Sequence, residues 1–119
     1  MSSLPQTIDT IPLTGDELFE RGDLGPCELM AGRIIPMTPA AGPHGFIELN
    51  VAYELKTFVN QNKLGWVQTG EVGIYTGRNP DTVRGADVIF ISKKRLNKLP
   101  KTGFLEVAPE ISCRNFFAF

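Results

Sequence analysis

The chain is poor in the residues that most small functional domains lean on: one histidine, one tryptophan and two cysteines in 119 residues, with a formal charge of -1. Cys27 and Cys113 have no close metal-type spacing, so zinc is not expected, and they give no disulfide framework; both read as ordinary thiols. The sole histidine, His44, has no serine, cysteine or aspartate at a diagnostic spacing, so nucleophilic triad chemistry finds no support. A near-neutral chain has no global attraction for a nucleic-acid backbone, and any such contact must come from a local patch. Met1 to Thr10 lacks the basic flank and apolar run of a signal peptide, and no later stretch is long enough to span a bilayer. A cytoplasmic protein with no membrane association is expected. Nucleotide-cofactor binding is disfavoured too, because Gly70-Glu71-Val72-Gly73 lacks the last glycine and the following helix of a phosphate-binding fingerprint.

What is present suits a single soluble domain. Hydrophobic residues make up 42% and charged residues 21%, and a chain of this length buries about two-thirds of its unfolded surface around one modest core. After a leader read as flexible (1–12), Thr14 and Glu17 have capping-box spacing before a short helix ending near Gly22. Cys27–Met30 and Arg33–Ile35 flank Ala31-Gly32, a pair suited to the positive φ of a hairpin turn; Pro36 and Pro39 end the second strand. From His44 to Asn62, Ile47, Val51, Leu55, Phe58 and Val59 recur at helical spacing, with Glu48, Glu54, Lys56 and Gln61 on the other face and Gly65 as a C-terminal cap. Trp66–Tyr75 reads as strand bent at Gly70 and Gly73, and Gly77–Asp81 as a turn. Asp87 opens the apolar run Val88–Ile91, which reads as a central buried strand. The mixture of elements is mixed α/β or α+β.

Asp87 stands out, because a carboxylate at the end of a buried strand can face a cleft with its position fixed. Magnesium favours such an oxygen ligand, although one aspartate holds it poorly, and the same residue also reads as a strand-end cap. His44, just after Gly42-Pro43, could reach a phosphate or carry a proton; it also reads as a packing residue at a helix entrance. Glu28 and Glu71 lie beside strand signals and either point towards Asp87 or sit exposed on the sheet. Lys93, Lys94, Arg95, Lys98 and Lys101 form a basic cluster able to contact DNA phosphates, without the interleaved aromatics of a base-stacking platform. The end of the chain, Ser112 to Phe119, carries three phenylalanines without a clean period, a surface that would need a partner.

Taken together, Glu28-Leu29-Met30-Ala31-Gly32, His44-Gly45, Asn50, Leu64-Gly65, Gly73 and Asn79 to Val88 carry a resemblance. In order and spacing they are similar to the Uma-type family of restriction-endonuclease-like proteins, within the PD-(D/E)xK nuclease superfamily, from about Leu13 to Ile111. The resemblance implies a core sheet flanked by helices, with Asp87 at the first metal-binding carboxylate and Ala86 replacing the proline of the superfamily name. It also implies Mg2+, held by Asp87, activating water for in-line attack on a phosphodiester; Glu71, beside its strand signal, is a further candidate ligand. His44 and Glu28 are the other catalytic candidates. The family's second acid would fall near position 114, where this chain has Arg114, and a guanidinium cannot ligate a cation.

The expectation is therefore a restriction-endonuclease-like core with an incomplete sheet over 13–111 and an aberrant apolar tail over 112–119, which reads as a shifted frame or premature end. Its endonuclease activity would be impaired. A non-catalytic nucleic-acid or protein-binding module is the alternative, and a non-functional gene remnant is a third. An incomplete sheet or the tail would also offer a surface for self-association.

Overall fold

The computed structural model describes residues 11–22, 24–39, 42–100 and 102–114. Residues 1–10 of the expected leader (1–12), Lys101 of the basic cluster and residues 115–119 of the tail lie outside them.

Local chemistry sets the early elements. Helix α1, Gly15–Glu20, starts at a complete capping box: the Thr14 side chain accepts from the Glu17 N–H, and the Glu17 carboxylate accepts from the Thr14 N–H. Strands β1 (Cys27–Met30) and β2 (Arg33–Pro36) form an antiparallel hairpin. Its turn residues Ala31 and Gly32 have φ of 50° and 83°, the left-handed pair that matches strand twist in a tight hairpin.

Helix α2, Gly42–Gln61, leads into β3, Gly65–Gly77, which folds back on β4, Thr82–Ser92. The helix ends differently from expectation. Lys63, at φ 54°, takes the left-handed position, and the Leu64 N–H donates back to the Val59 carbonyl. Gly65 instead opens β3, where a Cβ would collide with the Ile91 carbonyl oxygen; glycine serves close strand approach there, not the cap. The bend expected in β3 is a register shift between Thr69 and Val72, with Gly70 and Glu71 both at positive φ.

Strand β4 organises the sheet. β3 lies along one edge. On the other edge β1 pairs through Leu29 and Val83, and the short β5, Ile111–Cys113, pairs with Val88–Phe90. The named strands make a five-stranded open sheet, all antiparallel, with a short helix α3, Lys93–Leu96, after β4. With α1 and α2 this is a mixed α+β architecture consistent with a restriction-endonuclease-like core. Asp87 lies in the middle of β4 and not at its start, because the less apolar Thr82–Ala86 is also paired, to β1 and β3.

Val88, Ile89 and Ile91 of β4 are completely buried, as the apolar run predicts. Ile89 and Ile91 pack with Ile74, Ala86 and Leu105 in one cluster, and Val83, Leu29 and Leu18 form another beneath α1. The inward stripe of α2 comprises Ile47, Val51, Ala52, Leu55 and Val59, but Phe58 is exposed. Phe46, Leu49 and Tyr53 also face outward, at 70%, 68% and 65% exposure, giving the helix a second, uncovered apolar stripe. No helix among the described residues is long and apolar enough to cross a membrane.

Candidate metal centre at Asp87

The inward stripe of α2 does not end in apolar residues. Continued by one helical turn at a time towards the N-terminus, it reaches Glu48 and His44, four residues apart and both partly buried. Across from them stands Asp87, buried in β4. His44 Nε2 is 3.3 Å from Asp87 Oδ2 and 3.4 Å from Glu48 Oε1. One ligand atom from each of the three side chains lies within 4.8 Å of both others. The residues that bring this about are ordinary fold-formers: Val88 to Ile91 hold β4 in the core, and Ala52 and Val59 hold α2 against the sheet.

This group joins two of the residues singled out from sequence, His44 and Asp87, and adds Glu48, which the helical pattern had placed on the solvent face. The missed signal was Glu48's position one turn beyond His44 on the line that continues through Ala52, Leu55 and Val59. A polar pair on a core-facing stripe must be satisfied by partners, because burying it alone costs several kcal/mol, of order 2–7.

Glu28 lies elsewhere along the same β4 edge, where β1 gives way to β5. Its Oε2 accepts from the Gly85 N–H at 2.8 Å, so the carboxylate stands in for a strand neighbour. Arg84 Nε lies 3.5 Å from Oε1, and Arg114 Nη1 lies 2.8 Å from Oε2. The Arg114 contact is electrostatic, since its geometry does not satisfy a directed hydrogen bond. Position 114 follows Cys113, which is opposite Val88, so one residue further along each strand come Arg114 and Asp87. Glu71 is exposed at the bulge of β3 and lines, with Glu28, a cleft of about 190 Å³; that is small for a nucleotide-sized ligand, whose sites run from about 300 Å³. Neither glutamate belongs to the His44 group.

In the basic cluster Lys93, Lys94 and Lys98 are exposed. Arg95 is committed to the fold: its Nε lies 3.3 Å from Glu110 Oε2 and its Nη1 donates to the Ala108 carbonyl, which anchors the segment entering β5. Glu110 in turn accepts from the Ser92 N–H at 2.9 Å.

A five-stranded sheet with a buried aspartate on its central strand, and a helix laid across it, is consistent with a restriction-endonuclease-like α+β core. The chain belongs to the Uma2 family, whose model, described as "Putative restriction endonuclease", matches residues 16–112. A search of the curated proteins found no match.

Proposed function

We propose that this chain is a metal-dependent phosphodiesterase of the endonuclease type whose Mg2+ chemistry is impaired at one position, Arg114. The observation that carries the proposal is the 2.8 Å approach of the Arg114 guanidinium to Glu28, on the strand edge that also holds Asp87. By the resemblance the family's second metal-binding acid would fall near this position, and a cation here would weaken the field that holds Mg2+ at Asp87. A divalent ion, when bound, supplies a water of lowered pKa and neutralises charge on the phosphate. Asp87 would hold the ion, and the exposed Lys93, Lys94 and Lys98, beyond the end of β4, would hold the DNA backbone by charge.

Plasmid nicking with Mg2+ tests this reading. The wild-type chain is expected to cleave weakly, Arg114→Glu at least tenfold faster, and Asp87→Ala not at all. Robust wild-type nicking abolished by Asp87→Ala would overturn the impairment. A folded Arg114→Glu chain no faster than wild type would remove Arg114 as its cause.

A protein-binding role is the second reading, supported by the uncovered stripe Phe46, Leu49 and Tyr53. Self-association through this face predicts a concentration-dependent dimer in sedimentation equilibrium that Leu49→Glu abolishes. A monomer at all concentrations would argue against it.

A further inference from the structure

From the geometry at the N-terminal end of α2, we propose that His44, Glu48 and Asp87 form a site for a borderline transition ion of the Zn2+ or Mn2+ type. Two helix residues here supply the ligands that a strand acid at position 114 does not. The proposal deepens the metal assignment above and rests on it only in taking Asp87 as a ligand; it does not depend on cleavage.

Three observations converge. First, the separations are those of neighbouring ligands on one ion. With metal–ligand bonds near 2.0 Å, a tetrahedral ion places adjacent donors about 3.3 Å apart, against 3.3 and 3.4 Å from His44 Nε2 to the two carboxylates. These distances sit beyond the usual span of well-formed N–H···O bonds, about 2.7–3.2 Å. The outer limit of 4.8 Å for the group leaves the carboxylates room to be drawn together by a shared cation. Second, two carboxylates converge with one imidazole at a single point, a donor set that attracts a cation, whereas the N-terminal end of a helix offers no such attraction and Arg114, opposite Asp87, opposes it. The two acids therefore supply the binding energy. Third, the donor set selects the ion. An imidazole nitrogen beside two carboxylate oxygens suits Zn2+ and Mn2+ better than Mg2+, which favours oxygen and an octahedron of waters. Three protein ligands leave a coordination position open to water or to a phosphate oxygen.

The paucity of paired cysteines argues against a thiolate zinc site, and this centre needs none. Cys27 and Cys113 are nevertheless half-buried thiols that could take zinc for themselves, so the experiment uses the full chain with both changed to serine. Calorimetric titration with Zn2+, Mn2+ and Mg2+ is expected to give one ion per chain, with affinity falling in that order. His44→Ala and Glu48→Gln should each weaken Zn2+ binding about 100-fold or more, a loss at least as large as that from removing outer-shell partners. Glu54→Gln, on the outer face of the same helix, should leave it unchanged. Thermal midpoints measured without metal separate lost binding from lost folding, with Glu48→Asp as a second, milder probe expected to retain part of the affinity. Zn2+ binding undiminished in folded His44→Ala and Glu48→Gln, but lost in Asp87→Asn, would overturn the helix-borne site while leaving Asp87 as a ligand. Tight Zn2+ binding that needs all three residues, beside wild-type and Arg114→Glu chains that both leave plasmid uncut, would support the site and overturn the nuclease reading instead.

Discussion

Glu28 and Asp87 are both buried carboxylates beside the same stretch of β4, yet the side chains that contact them differ in kind. Around Glu28 stand Arg84, Arg114 and the Gly85 N–H, so its charge is answered by fixed cations and a backbone donor. Asp87 is met by His44, which also meets a second acid, Glu48, while Arg114 lies opposite Asp87 just past β5. The first arrangement is closed and holds two strands together. The second is open, because an imidazole is neutral or charged according to its proton, and its lone pair can serve a metal instead. The comparison teaches that burial of an acid does not distinguish a site from a brace; the permanence of its counter-charge does.

Metal affinity should separate the two regions most strongly. Asp87→Asn is expected to lower Zn2+ affinity by at least 100-fold, about 2.7 kcal/mol, whereas Glu28→Gln leaves it within about threefold; calorimetry measures both. Stability should reverse the ranking. Glu28→Gln breaks a buried ion pair, costing about 2 kcal/mol, less than the usual 3–5 because its arginines reach solvent. Asp87→Asn relieves repulsion with Glu48 and should be close to neutral in urea unfolding of the metal-free chain.

A third buried acid, Asp81, sharpens the contrast because nothing about it is open. It accepts from the Gly15 N–H at 2.8 Å, tying α1 to the turn before β4, and from Arg78 Nε at 3.1 Å. The Gly15 N–H above all, with the Asn79 N–H and Arg78 adding to it, holds the Asp81 carboxyl below its ordinary value of 3.8. A carboxyl with a lowered folded pKa stabilises the fold above its unfolded value and loses that contribution as pH falls through the folded one. Asp81→Asn should therefore cost about 1.5 kcal/mol near neutral pH, with the difference from wild type shrinking as the pH falls below 3.8. Denaturant titrations at both pH values measure it. The smallest effect is expected at the α1 cap, where Thr14→Ala should cost about 1 kcal/mol and leave Zn2+ binding unchanged.

Much of this architecture was legible in the sequence because local rules enforce it. The capping box at Thr14, the Ala31-Gly32 hairpin and the Val88–Ile91 core strand all lie where residue chemistry puts them. Details that depend on tertiary approach were not. Gly65 reads as a helix cap but meets Ile91, and Phe58 has a core-like position yet faces outward. Asp87 reads as the start of a strand, since nothing in Thr82–Ala86 announces its pairing with β1 and β3. In the candidate site, His44 was visible as the sole histidine at a helix entrance and Asp87 as the acid opening an apolar run. Glu48 was hidden, because an isolated glutamate on a helix normally faces water, and only the rotation of α2 on the sheet turns it inward.

The chain's single histidine makes the central claim directly observable. With 15N-labelled histidine, the two imidazole nitrogens of His44 give the only ring signals in a long-range proton–nitrogen correlation spectrum. Adding one equivalent of Zn2+ to the cysteine-free chain should move Nε2 to a metal-bound position and leave Nδ1 protonated, and Glu48→Gln should weaken that response. An Nε2 signal that does not move at saturating Zn2+ would contradict the account.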